Sequence, residues 1–352
     1  MLFLPLCGVW FAGKELMIFL EFPPLTRYVE HAGFSWFVFI AMALFVLAVI
    51  TPLLTRMLLS QPQLKDIQRC SFPLWGWGAI IICLVSWMMA WTRFGWFSDY
   101  QIFTFSPLWL GYIGIVNAFT FVRTGTCMLT NRPKFLVRLF IVSAVFWWTF
   151  EYFNRYVQNW YYIGIDDLSI AQYVLFATLS FSTVLPAVLS TCELLESFPC
   201  FSAGLNEYKK IDPSYPKLTA LTLLILAAAG LFGIGIYPNF LFPLLWLSPL
   251  FIITSIQQLS GMETIFTPLK QGNWSRIVLL AIAAVICGFF WEMWNSFSYA
   301  KWCYSIPYVQ KYHIFEMPIL GYAGYLSFGL ECGVIADLCM LKSEQEQGGV
   351  PL

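Results

Sequence analysis

Charge is what this chain has least of. Only 11% of its 352 residues are Asp, Glu, Lys or Arg, whereas soluble domains carry about 25%, so half of an ordinary solvated surface is missing. The formal net charge is zero, which leaves no basic field for a phosphate backbone and argues against a nucleic-acid partner. Histidine occurs twice, at His31 and His313. Two are too few for a histidine-rich di-iron centre, and a zinc site would need acids to complete it. The ten cysteines form no CxxC pair, and most fall in apolar runs, where cysteine acts as a small buried hydrophobe. No metal site and no cofactor are expected. A Walker-type Gly-rich loop and a Gly-x-Ser-x-Gly turn are both missing, which excludes ATP binding and serine-hydrolase chemistry by those routes. Asp166-Asp167 is the only acidic doublet, and it precedes a span as a helix cap would, leaving no aspartate-rich helix for magnesium pyrophosphate.

What the chain has instead is apolar length. Its residues are 59% hydrophobic and its mean hydropathy is +0.72. A helix crossing the hydrocarbon needs about 20 mostly apolar residues. Phe34 to Thr55, Cys70 to Thr92, Tyr100 to Val122 and Ser169 to Cys192 reach that length without a charge, and Leu218 to Met262 is twice as long, broken by Tyr237-Pro238-Asn239. Spans over Phe135 to Tyr156, Arg276 to Phe297 and Ile314 to Lys342 complete an all-α, polytopic transmembrane bundle of about nine helices. The run Leu2 to Gly13 is too short to cross and is expected to be interfacial or re-entrant.

Lys and Arg collect on the cytoplasmic side of such bundles. One set of loops and the tail holds Arg56, Lys65, Arg69, Arg123, Arg132, Lys134, Arg138, Lys209, Lys210, Lys217, Lys270, Arg276 and Lys342; the other holds Lys14, Arg27, Arg93, Arg155, Lys301 and Lys311. Thirteen against six predicts a cytoplasmic C-terminus and outward loops at 152–169 and 298–313.

Landmarks recur down the chain. Ser71-Phe72-Pro73 resembles Ser214-Tyr215-Pro216, and Pro107-Leu108-Trp109-Leu110 resembles Leu244-Leu245-Trp246-Leu247. Trp148-Thr149-Phe150-Glu151-Tyr152-Phe153-Asn154 matches Phe289-Phe290-Trp291-Glu292-Met293-Trp294-Asn295, and Trp160-Tyr161-Tyr162 matches Trp302-Cys303-Tyr304. The offsets are 143, 137, 141 and 142 residues. The expected organisation is an N-terminal interfacial segment and first span over 1–70, a four-helix repeat over 71–198, a linker over 199–213, a second repeat over 214–342 and a tail over 343–352. An even number of spans per unit makes the repeats parallel, related by an axis along the membrane normal.

Two acids stand out. Only 12 uncharged residues separate Arg138 from Glu151, and 15 separate Arg276 from Glu292. Neither run can cross unless its helix continues past the glutamate. Both acids are therefore forced into the outer part of a span, where ionisable groups are costly and are candidates for function. Asn154 and Asn295 lie three residues on, on the same helix face, as nearby amide donors. Arg155 adds an i,i+4 ion pair to Glu151, where the second copy has Ser296. That asymmetry suggests an anion at Glu151 and a proton donor at Glu292. Bonding between adjacent helices is the plainer role for the same Glu-x-x-Asn pairs. Arg93 is placed to pair with either glutamate. Trp160, Tyr162, Trp302 and Tyr304 belong to outward loops dense in Trp and Tyr, suited to an aromatic belt or to a pocket for a long apolar or cationic ligand. Glu316-Met317-Pro318 fits a helix start. Glu331 lies between Gly329 and Gly333, a spacing that favours close helix packing.

The stretches FWWTFEYFNRYVQNWYY and FFWEMWNSFSYAKWCY…FEMPILGYAGYLSFGLE resemble a functionally unassigned family of bacterial multi-pass membrane proteins. A fainter likeness is to the small membrane-embedded carotenoid (lycopene) cyclases, in which a Trp/Tyr-rich loop precedes a helix opening on Pro and paired acids. Here Trp302-x-Tyr304 precedes Glu316-x-Pro318, with a single acid in place of the pair. The first resemblance implies a bacterial inner-membrane location and brings no activity with it; the doubled glutamates motivate the reading of an isoprenoid or lipid ligand. The expected function is a membrane-embedded enzyme or binder for such a ligand at the outer interface: Glu292 as acid, Glu151 with Arg155 as charge stabiliser, and Asn154 and Asn295 as positioning amides. The alternatives are a proton-coupled transporter using Glu331, Asp337 and Glu193, and a scaffold with no ligand and no pocket between its two units. Membrane lipids are the expected partners.

Overall fold

A computed structural model describes residues 1–24, 26–62 and 70–346. Thirteen α-helices occur among the described residues: α1 Phe3–Phe11, α2 Trp36–Leu59, α3 Leu74–Trp91, α4 Phe105–Thr124, α5 Met128–Asn131, α6 Pro133–Val157, α7 Ile170–Phe181, α8 Val184–Glu196, α9 Pro216–Ile236, α10 Pro238–Leu241, α11 Leu244–Leu259, α12 Ser275–Ser296 and α13 Gly324–Glu346. Eight helical stretches are long and apolar enough to cross a membrane, α7 and α8 counting as one, and α11 is a shorter apolar helix of 16 residues. The chain is a multi-pass integral membrane protein built as an all-α bundle. Lys65, Arg69 and the tail beyond 346 lie outside the described residues; α13 runs on past 343, where a tail was expected.

The helix limits follow from local chemistry. The Ser35 hydroxyl accepts from the Val38 amide at the start of α2, and Ser169 forms a capping box with Gln172 at the start of α7. Proline opens α6 and α9 at the first helical position, where its missing N–H costs nothing. Left-handed residues close two helices, Gly125 after α4 and Gln158 after α6. The chain turns at Tyr237 and Pro238, as the sequence break requires. In contrast, the run from Ser169 to Cys192 is interrupted at Ser182 and Thr183.

Without a hydrophobic drive between helices in lipid, packing depends on small residues that let backbones approach. A Cβ at Gly111 would lie 2.7 Å from the Cys83 backbone nitrogen, which fixes α4 on α3. One at Gly329 would lie 2.2 Å from the Leu280 carbonyl oxygen, fixing α13 on α12. Glu331 thus sits beside a packing seam, as its glycine neighbours indicate.

Helix α1 is too short to cross: nine residues rise about 13 Å against a hydrocarbon thickness of about 30 Å. It docks on α9 instead, where Gly8 and Gly235 meet. A Cβ on Gly8 would lie 1.9 Å from the Phe232 carbonyl oxygen, and one on Gly235 would lie 2.1 Å from that of Pro5. Lys14 continues the contact by donating to the Gly235 carbonyl at 2.9 Å, capping the end of α9. Gly235→Leu is expected to lift α1 off α9, at a cost of about 1–3 kcal/mol for the overpacked backbone. Hydrogen–deuterium exchange over residues 3–11 would rise, and unchanged exchange would show that the glycine contact does not hold α1.

Candidate functional site

Both glutamates are fully buried. Glu151 in α6 and Glu292 in α12 each have 0% exposure, and each is held by tryptophan and tyrosine rather than by cations. Glu151 Oε1 accepts from Trp147 Nε1 at 3.0 Å, Trp160 Nε1 at 3.0 Å and the Tyr162 hydroxyl at 2.6 Å. Glu292 Oε1 accepts from Trp302 Nε1 at 3.3 Å, the Tyr304 hydroxyl at 2.7 Å and the Tyr325 hydroxyl at 2.9 Å. In both, Oε2 is buried without a hydrogen-bond partner. Burial, followed by the adjacent carboxylate, pushes the phenols of Tyr162 and Tyr304 well above their ordinary range. Both therefore stay protonated and donate.

The asparagines do something other than expected. Neither donates to its neighbouring carboxylate. Asn154 Nδ2 donates to the Trp160 carbonyl at 2.7 Å, and its Oδ1 accepts from the amides of Asn159 at 2.8 Å and Trp160 at 3.4 Å. Asn295 Nδ2 donates to the Trp302 carbonyl at 2.7 Å, and its Oδ1 accepts from the Trp302 amide at 2.9 Å. The i,i+3 spacing thus lets one helix face grip a single tryptophan twice: asparagine takes its backbone, glutamate its indole.

The gripped residues form two short strands, β1 Trp160–Ile163 and β2 Lys301–Tyr304. They pair antiparallel, Trp160 opposite Tyr304, Tyr161 opposite Cys303 and Tyr162 opposite Trp302. Each carboxylate's indole and phenol donors come from one strand, and the pairing brings the two sets together.

A third donor completes each set by a different route. Four residues before Glu151 stands Trp147, which donates along the helix; four before Glu292 stands Gly288. A Cβ at Gly288 would lie 2.3 Å from the Tyr325 ring, so the glycine opens the space through which Tyr325 reaches Glu292 from α13. Trp147 and Tyr325 are the functional residues that sequence reasoning missed. The mismatch of Gly288 against Trp147, one residue before the aligned stretches, was the signal that the second set needed a donor from elsewhere.

Between the two sets lies a cavity of about 170 Å³, lined from one side by Trp160 and Tyr162 and from the other by Trp302, Tyr304 and Tyr325. Trp246 and Trp291 lie in its wall, while Ile102, Leu168 and Phe176 are half-buried at its edge. The glutamates stand behind this aromatic screen and do not line the space. Rings face the cavity and polar tips face the acids.

Several expected partnerships are absent. Arg155 forms no ion pair with Glu151; its guanidinium donates to the carbonyls of Phe19 and Glu21 and lies 4.8 Å from the Tyr152 ring. The N-terminal segment folds back to take it, so Arg155 does not distinguish the two acids. Arg93 pairs with neither glutamate: it donates to the carbonyls of Ala90, Thr92 and Phe297, closing the ends of α3 and α12. Glu316 does not open a helix. It sits in the turn between strands β3 His313–Ile314 and β4 Met317–Pro318 and pairs with Lys301 at the cavity edge. Phe315 in that turn has φ 58°, which a helix start would not allow. Elsewhere Glu193 pairs with Arg132 at 2.9 Å and Asp337 with Arg276. Glu331 is 2% exposed, with both carboxylate oxygens unpartnered. No group of three metal-ligating side chains occurs among the described residues.

No protein-family model matches the chain, and no curated protein or solved structure does either.

Removing either acid strands three donors. At about 1–3 kcal/mol for each buried group left unpaired, Glu292→Ala is expected to lower stability by more than about 3 kcal/mol, and Glu151→Ala by a similar amount. Glu292→Gln keeps a carbonyl oxygen for the same donors and is expected to cost less than half as much. Denaturant unfolding of the three variants in mixed micelles measures this, and equal losses for Glu292→Ala and Glu292→Gln would contradict it.

Proposed function

We propose that the protein binds the apolar end group of a lipid or isoprenoid in the cavity between β1 and β2, with Glu151 and Glu292 acting through the aromatic residues that screen them. The observation that carries this reading is that one cavity is walled by the Trp–Tyr partners of both buried acids. An apolar space of about 170 Å³ compares with the engineered cavity of about 150 Å³ that takes up benzene. It suits one ring or a short branched end, with the rest of the molecule leaving past the half-buried edge into the bilayer. Aromatic faces on several sides favour a ligand that carries or develops positive charge. The likeness to carotenoid cyclases points the same way, to the ring-forming end of an isoprenoid. The chemistry available is proton transfer by relay: a tyrosine facing the ligand gives it the hydroxyl proton and takes one back from the protonated glutamate behind it. A space between the two sets weighs against a scaffold without a ligand.

The matching contacts support reading the bundle as two parallel units derived from one. The three landmark pairs of the ladder, Trp160–Tyr304, Tyr161–Cys303 and Tyr162–Trp302, are symmetric about the middle one, and the second tryptophan landmark crosses between halves in both directions: Trp109 meets Trp291, and Trp246 meets Phe150, each with ring centres 5.0 Å apart. The bias of basic residues supports an inner-membrane protein with the cavity toward the outer face.

A second reading, proton-coupled transport, is favoured by Glu331, whose unpartnered oxygens lie deeper along α13 than Tyr325. Proton-driven uptake into liposomes that is lost in Glu331→Gln would support it over ligand binding alone.

The direct test is the extractable lipid and isoprenoid profile of cells with and without the gene. The wild-type gene is expected to restore the profile, while the Glu151→Gln/Glu292→Gln double variant and the cavity-filling Ala177→Trp fail to do so. Full restoration by both variants would end this proposal.

A further inference from the structure

Three rings in the cavity wall do not turn their polar tips to the acids. Tyr173 on α7, Trp246 on α11 and Trp291 on α12 all line the space. Neither their indole N–H groups nor the Tyr173 hydroxyl makes a hydrogen bond among the described residues. These tips are also not sealed in. The indole nitrogens of Trp87, Trp109 and Trp294 are buried without partners, whereas those of Trp246 and Trp291 and the Tyr173 oxygen keep accessible surface. At Trp246 the opening has a visible cause. A Cβ on Gly324, also in the wall, would lie 3.8 Å from Nε1, so the missing side chain leaves that edge uncovered.

Tyr173 has the most telling position of the three. The rings of Trp148 and Tyr162 flank it, each with its centre 6.4 Å away. Tyr162 is the phenol that donates to Glu151 at 2.6 Å, and the Tyr173 hydroxyl lies within electrostatic reach of the same carboxyl. The other hydroxyl on this face of α7, Ser180, stands 3.4 Å from that of Ser106, beyond the roughly 2.5–3.0 Å of an ordinary O–H···O bond.

We propose that the end group admitted to the cavity carries a carbonyl oxygen and that Tyr173 is the residue that selects it, with the N–H groups of Trp246 and Trp291 on the other walls. The inference rests on ligand binding in this cavity and narrows the ligand from an apolar ring to the cyclic ketone of a lipid or isoprenoid. Indole nitrogen donates and does not accept, and the acceptors nearest the wall, Oε1 of Glu151 and of Glu292, already hold three donors each. What the side chains offer inward is therefore mostly donors. A hydrocarbon end would displace water from all three and leave them unpaired, which is unfavourable. A carbonyl oxygen has two lone pairs and no hydrogen, so it takes a donor without adding one. A site built to donate to such an oxygen also rejects the analogue that lacks it.

The test uses the full-length protein in nanodiscs and two probes of one shape, cyclohexanone and methylenecyclohexane, titrated by saturation-transfer NMR. Cavity binding is the part of the signal lost in the cavity-filling Ala177→Trp variant, which removes partitioning into the bilayer. Tyr173→Phe breaks no hydrogen bond of the folded protein and is expected to weaken cyclohexanone about fivefold, the effect of one neutral hydrogen bond, with methylenecyclohexane unchanged. Ser180→Ala should leave both probes as in wild type. A tyrosine that only belongs to the membrane interface would leave cyclohexanone unchanged in Tyr173→Phe, and that result, or a loss in Ser180→Ala instead, would overturn this inference while ligand binding stands. Absence of cavity binding by either probe would overturn ligand binding and this inference together.

Discussion

An acid inside an apolar helix has to be supplied with donors by its own protein, because the bilayer offers none. Everything distinctive about this bundle follows from how Glu151 and Glu292 are supplied. Lysine or arginine would bring a second charge into the same low-dielectric space, and burying a pair costs more than the pair returns unless every contact is ideal. Indole N–H and phenol O–H donate without a net charge, and their rings pack as hydrophobic surface. Six such donors on two oxygens let both acids be held without a cation. The same choice makes the wall of the cavity aromatic, because a ring whose tip is drawn toward a buried acid presents its face elsewhere. Site and stability are therefore one set of contacts.

The strands are a consequence of that supply. Four residues in β1 and four in β2 would form a marginal ladder alone. They are fixed because Asn154 and Asn295 take up the backbone N–H and C=O of Trp160 and Trp302 on the side away from the ladder. Glutamate then holds the side chain whose backbone asparagine has placed. Loss of either grip would leave a tryptophan free to turn, with the cavity wall and the acid's donor going with it.

Much of this was legible in the sequence, and what was not has physical reasons. The spans and the break at Pro238 follow from composition and proline chemistry alone. The burial of the two glutamates followed from arithmetic: 12 and 15 uncharged residues are too few to cross. Partners were harder. Arg155 is four residues from Glu151, the spacing at which helical ion pairs form, yet such pairs are worth little and the carbonyls of Phe19 and Glu21 take the guanidinium instead. Those acceptors are more than 130 residues away in sequence, and no local pattern announces them. Arg93 was likewise drawn to the bare carbonyls at two helix ends, a demand invisible without the packing of α3 on α12. Glu316 fitted a helix start by composition, and the positive φ of Phe315 shows that a tight turn claimed those residues first.

The two sets differ most where their helices meet other parts of the bundle. Trp147 supplies Glu151 from within α6, so that set is closed by a single helix and its strand. Glu292 depends on Tyr325, which α13 delivers through the gap at Gly288. A displacement of α13 therefore removes a donor from Glu292 directly, whereas none of Glu151's three donors comes from α13. Glu331 and the close contact at Gly329 lie on the same helix as Tyr325, one to two turns further along, so the least satisfied acid and the donor on which Glu292 depends share a rigid element. If the two acids divide the work of the site between them, the division originates here, in a glycine that replaces a tryptophan, and not in the arginine that the sequence offered.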